Sequence, residues 1–203
     1  MREKRSGGKT MLLSILMSAP GPLIVGYGFL LGKSATQMAD FVRRSAELIA
    51  LVVAYITFRV TSGAGMDERR KTLLERRSNL FVGCAMCLSG VSMLLIAVLS
   101  QSGEQGNVIP GLAVALLGVM ANTFFWFRYR KLSRAQSSSI LEVQSRLYRA
   151  KSLVDICVSA ALLVVLIAPG SAAAAYFDKI GSVVVAVYLC RCGWKTIAEA
   201  RGR

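Results

Sequence analysis

Apolar residues gather along the chain into six long runs, separated by short stretches rich in charged and small polar residues. The runs cover residues 11–31, 37–60, 80–99, 108–127, 148–168 and 174–194. Each approaches the ~20 residues that a helix needs to cross about 30 Å of hydrocarbon. The pattern predicts an all-α polytopic membrane protein built as a six-helix transmembrane bundle. A basic N-terminus at 1–10 precedes the bundle at 11–194, and a short tail at 195–203 follows it, with no room for a folded soluble domain. The basic head and short apolar core at the start imitate a signal peptide. The apolar stretch nevertheless continues through Leu23, Ile24 and Val25 to Leu31, which predicts a retained helix. Pro20 and Pro22 each remove a backbone donor and are expected to kink it.

The polar stretches set the orientation. Lys and Arg crowd the N-terminus (Arg2, Lys4, Arg5, Lys9), the second connection (Arg69, Arg70, Lys71, Arg76, Arg77), the fourth (Arg128, Arg130, Lys131, Arg134, Arg146, Arg149) and the tail. The alternate connections carry only Lys33, none and Lys179. An excess of Lys and Arg marks the cytoplasmic side of a membrane, so both termini are expected there. The lack of a targeting sequence fits a bacterial plasma membrane. The short outer connections predict that runs one and two, three and four, and five and six pack as antiparallel neighbours. Residues 61–79 read as a solvated basic loop, and Ser137, Ser138 and Ser139 as a polar turn. Trp126, Phe127 and Tyr129 read as an interfacial aromatic belt. Gly26, Gly28 and Gly32 suit close helix contact.

Composition sharpens this picture. Hydrophobic residues make up 54% of the 203-residue chain and the mean hydropathy is +0.53, more than a soluble domain carries when its surface must face water. A net charge of +14 raises the question of nucleic acid. The basic residues lie between apolar runs, beside anionic lipid, and not along one polar face, so membrane lipid is the expected partner and nucleic acid is not. The chain has no His, which removes the most versatile general base and a common metal ligand. No nucleophile-and-base pair, phosphate loop or cofactor motif is present, so neither enzyme activity nor a cofactor is expected. The cysteines are Cys84, Cys87, Cys157, Cys190 and Cys192. Cys84 with Cys87, and Cys190 with Cys192, offer soft-metal donors, but small apolar thiols also suit plain helix packing, the reading we favour.

The charges within the runs carry the chemistry. The second run holds Asp40, Arg43, Arg44 and Glu47, and the fifth holds Lys151 and Asp155. A charge near the bilayer centre costs ~2.5–3.5 kcal/mol on insertion scales, so these residues are expected to pair. By i+3 and i+4 spacing, Asp40 reaches Arg43 and Arg44, both arginines reach Glu47, and Lys151 reaches Asp155. Glu47 and Asp155 lie at comparable depths, ~15 and ~20 Å along their helices from the outer ends. Arg43, Glu47, Lys151 and Asp155 are therefore expected to form one interior polar cluster.

The stretches GKSATQMADFVRRSAELIALVVAY, ERRSNLFVG, LYRAKSLVDICVSAALLVVL and FDKIGSVVVAVYLCRCGW resemble, in order and spacing, the second, third, fifth and sixth helices of cation diffusion facilitator transporters. The resemblance implies a secondary transporter that moves a divalent cation of the Zn, Mn or Fe class by alternating access in exchange for protons, as a homodimer. It places the ion pathway at Arg43, Glu47, Lys151 and Asp155. Glu47 and Asp155 are its expected metal carboxylates, and Asp40, Arg44 and Asp178 its secondary polar positions. In the family the positions matching Arg43 and Lys151 hold His or Asp, whereas Arg and Lys have no lone pair for a metal. The alternative is a transport-incompetent relative that serves as a structural or regulatory membrane partner.

Overall fold

The structure is a computed structural model that describes residues 2–32, 35–63, 66–99, 108–167 and 172–202. Seven helices account for these segments: α1 (Arg2–Ser18), α2 (Pro20–Gly32), α3 (Ala35–Thr61), α4 (Glu68–Leu99), α5 (Val108–Gln136), α6 (Ser139–Ile167) and α7 (Ala172–Gly202). The first two form a single span broken at Ala19, so the chain crosses six times. Pro20 and Pro22 have no N–H to offer the carbonyls of Leu16 and Ser18, and the break falls there. Ala19 N still donates to Ile15 O at 2.8 Å, so the rod bends without parting.

Among the described residues, three helices combine the length and hydropathy of a membrane span: Ser6–Tyr27, Glu68–Leu99 and Ile180–Gly202. The charges of α3 and α6 dilute their hydropathy, and these residues turn inward. The outer surface carries exposed Leu23, Ile24, Leu30, Val98, Leu117, Met120 and Ile167, as expected where lipid is the solvent. Both chain ends lie at the same end of the bundle, which we call the basic end. Arg76 of α4 donates to the Arg201 carbonyl of α7 at 2.7 Å, and Arg128 of α5 to Thr10 Oγ1 of α1 at 2.9 Å.

Two helix pairs dominate the packing, α4 with α7 and α5 with α6. In the first, glycine lets the backbones meet. A Cβ on Gly193 would stand 2.7 Å from the Gly83 carbonyl oxygen, and one on Gly90 would stand 2.9 Å from the Ala186 oxygen. Cys87 and Cys190 face each other there, each thiol directed at the other's carbonyl at 3.7 and 3.9 Å. Helix α3 packs on α4 and on both pieces of the first span, and it touches α6 only sparsely.

Four expectations are corrected. Spans three and four do not pack together among the described residues, because α4 presents its small-residue face to α7 while α5 pairs with α6. The expected loop at 61–79 is helical from Glu68 onward, since its Glu, Arg, Lys and Leu residues are good helix formers. Tyr129 is not at the interface: it is fully buried, hydrogen-bonded to Ser14 Oγ at 2.6 Å and stacked on Tyr148. The fourth concerns ion-pair partners and follows with the site. Gly26 does make close contact, its Cβ position being 2.8 Å from the Phe41 ring. The side chains of Gly28 and Gly32 positions, like Lys33, lie outside the described residues.

Candidate functional site

A cavity of about 710 Å³ opens between the broken first span and α3, α5 and α6. Its charged wall comes from two helices. On α3, Arg43, Arg44 and Glu47 line it; on α6, Lys151 and Asp155 do, one turn apart. The structure therefore brings together the four residues that sequence spacing nominated. Arg43 and Glu47 are both buried.

The contacts form a chain that crosses from one helix to the other. Asp40 accepts from Arg43 Nε at 3.0 Å and Nη2 at 2.7 Å, and from Arg44 Nε at 2.8 Å. The other side of the Arg43 guanidinium lies 3.7 Å from Glu47 Oε1. Glu47 Oε2 meets Lys151 Nζ at 3.0 Å, the link between α3 and α6. The Lys151 ammonium also stands 5.2 Å from the centre of the Tyr148 ring, within reach of a cation–π attraction.

Asp155 stands apart from this chain. It accepts from Asn122 Nδ2 of α5 at 2.6 Å, and among the described residues no cation lies within ion-pair distance of it. This corrects two predicted pairs: Lys151 reaches across to Glu47 and not along its own helix to Asp155, and Arg44 pairs with Asp40 alone. The reason is competition. Arg43 gives its short contacts to Asp40, which leaves Glu47 short of positive charge; the half-buried amide of Asn122 satisfies Asp155, which leaves Lys151 free to cross. Three cations (Arg43, Arg44, Lys151) and three carboxylates (Asp40, Glu47, Asp155) make the group formally neutral, which is how six charges persist where hydration is poor.

Glycine and the helix break shape the cavity around these groups. Gly118 gives the Asp155 carboxylate its place: a Cβ there would stand 2.7 Å from Oδ2. Gly21, just past the break, gives room to the Arg44 side chain, whose Nη1 lies 3.4 Å from its Cβ position. Ser18 and Pro22 line the same cavity, so the break borders the charged group. Irregular backbone at membrane depth is tolerated where it faces such a cavity.

Sequence reasoning passed over Asn122, Gly118 and Tyr148. Asn122 was detectable, as an amide within an apolar run. Gly118 was not, because its role depends on what packs opposite. Asp178 lies on α7, and its side chain is outside the described residues. The cysteines assemble no donor group of metal-binding size: among the described residues, no three His, Cys, Asp or Glu side chains converge.

The family model of the cation efflux transmembrane domain matches residues 11–202. No curated protein matches the chain.

Proposed function

The chain belongs to the cation efflux family, and on that premise we propose that it is a secondary transporter moving a divalent cation across the membrane in exchange for protons. The basic end of the bundle faces the cytoplasm, as the distribution of Lys and Arg requires. One observation carries the mechanism: of the two carboxylates at the centre, Glu47 is held by Lys151 at 3.0 Å, whereas Asp155 borders the cavity with only a hydrogen bond from Asn122.

Lys151 is then a tethered cation in the place that the substrate takes. An incoming ion meets Asp155 first, where Asn122 and Gly118 hold the carboxylate toward the cavity. Full binding requires Glu47 as a second oxygen ligand, so Lys151 must swing away or give up its proton. Either outcome offsets one of the two charges that a divalent ion brings, and loss of the lysine proton couples the ion to one proton moving the other way. Oxygen ligands suit hard and borderline divalent ions, of which Zn²⁺, Mn²⁺ and Fe²⁺ are the expected class.

Flux into proteoliposomes containing a pH-sensitive dye tests this reading. Metal-dependent proton movement that disappears in Asp155→Ala supports it. A second reading, a transport-incompetent relative serving as a membrane partner, is favoured by the closed Glu47–Lys151 bridge. It predicts no flux for any divalent metal and a gain of flux in Arg43→Asp with Lys151→His.

A further inference from the structure

A second cavity, of about 610 Å³, lies at the basic end between the close of α5 and the start of α6. Trp126, Arg130 and Arg134 line it from one face of α5, while Arg146 and Arg149 line it from one face of α6. Ser137, Ser138 and Ser139 of the turn close its rim. Four arginines thus face a single glutamate, Glu142.

That glutamate is occupied. It accepts from Arg146 Nη2 at 2.6 Å, and Arg146 Nη1 reaches Glu199 of α7, also at 2.6 Å. The other three arginines have no carboxylate within ion-pair distance among the described residues. Arg149 lies over the Tyr188 ring at 5.6 Å, and Arg130 and Arg134 are exposed. Arginines near the end of α5 complement its dipole, but this alone gives no reason for them to converge with Arg149 from the next helix. Convergent like charges repel, and an anion between them relieves the repulsion. The start of α6 adds its partial positive charge to the same space, and the Ser137 and Ser138 hydroxyls can supply neutral donors, that of Ser139 being given to Glu75 at 2.7 Å.

The cavity's position selects the anion. Trp126 has the amphipathic ring favoured at headgroup depth. Phe127 beside it, Phe124 deeper along α5, and Leu153 and Ile156 of α6 are exposed, as expected for lipid-facing positions. We propose that this cavity is a binding site for the phosphate of an anionic phospholipid in the leaflet at the basic end, with Arg130, Arg134 and Arg149 contacting the phosphate and the acyl chains lying along the exposed α5 and α6 surface. The site is separate from the transport cavity and does not depend on the transport reading.

The chain has two tryptophans, so Trp194→Phe leaves Trp126 as the sole indole reporter. The full chain is reconstituted in phosphatidylcholine vesicles with a minor fraction of phosphatidylglycerol, one lipid or the other carrying brominated acyl chains that quench indole. Brominated phosphatidylglycerol is expected to outcompete brominated phosphatidylcholine at Trp126 by on the order of a hundredfold, about fivefold for each of the three unpaired arginines. Arg130→Gln with Arg134→Gln is expected to bring the preference down to about the fivefold that Arg149 alone supplies. Arg69→Gln with Arg70→Gln removes the same charge from exposed positions at the start of α4 and is expected to leave it intact. Equal quenching by the two lipids in the parent overturns the proposal, as does an equal loss in both double variants. Quenching abolished by inorganic phosphate at constant ionic strength also overturns it, by reassigning the cavity to a soluble anion.

Discussion

The bridge between Lys151 and Glu47 makes a quantitative prediction. Unit charges 3.0 Å apart attract by roughly 5–6 kcal/mol at an effective dielectric of about 20, and at the 3.7 Å of Arg43 and Glu47 by roughly 4–5 kcal/mol. Those gross attractions are offset by desolvation, so the net value must come from comparing variants. Removing one partner of a buried pair costs about 3–5 kcal/mol, because a charge is left uncompensated. Lys151→Met leaves Glu47 with the more distant Arg43, which places its expected cost near 3 kcal/mol. Glu47→Gln should cost about the same or less, since Lys151 can turn to Asp155 one turn along its helix. With both changes, no lone charge of the pair remains, and stability should return to within about 1 kcal/mol of the parent. The cycle, measured by reversible unfolding in mixed micelles, should give a coupling of about 2 kcal/mol or more. Neutral interhelical hydrogen bonds in a bilayer average about 0.6 kcal/mol. A coupling at or below that value would refute the claim that the bridge holds α3 to α6 as an ion pair.

Other outcomes follow from single contacts. Gly118→Ala places a methyl 2.7 Å from Asp155 Oδ2 and should displace the carboxylate from Asn122. The lost charged hydrogen bond, about 1.5–3 kcal/mol, should appear as roughly ten- to hundredfold weaker cation dependence of flux, and unchanged dependence would contradict the placement of Asp155 at the cavity wall. Gly193→Ala drives a methyl against the Gly83 carbonyl and should lower stability by about 1–3 kcal/mol, read as a fall in thermal unfolding temperature in detergent. Because backbone is the obstacle there, Cys87→Ala should not rescue it. Tyr129→Phe removes the 2.6 Å contact with Ser14 and should cost about 1 kcal/mol in the same measurement while leaving metal flux unchanged.

The six spans were legible in the sequence because hydrophobic run length is a one-dimensional property. The break at Ala19 was legible for the same reason, since a missing N–H at Pro20 needs no tertiary context. Reading hydropathy alone missed the twelve residues, all polar but Leu73 and Leu74, that extend α4 beyond its apolar core; helix propensity, not burial, makes that segment helical. Partner choice was the harder problem. Spacing of i+4 permits Lys151 to meet Asp155, but Asn122 from α5 settles which carboxylate stays available, and sequence distance carries no record of that. The pairing of α4 with α7 left a trace in Gly83, Gly90 and Gly193, small residues at helical spacing. Loop length pointed instead to the wrong neighbour.

Helices α3 and α6 make few close backbone contacts; toward the basic end both contribute side chains to one apolar core, and at the cavity a charged contact joins them. At the cavity the link between them is therefore electrostatic, so a mobile ion can take it over where no buried methyl group could. The cavity end of this pair is thus secured by charge and the basic end by apolar packing, and only the first can be exchanged for the kind of charge that the family carries.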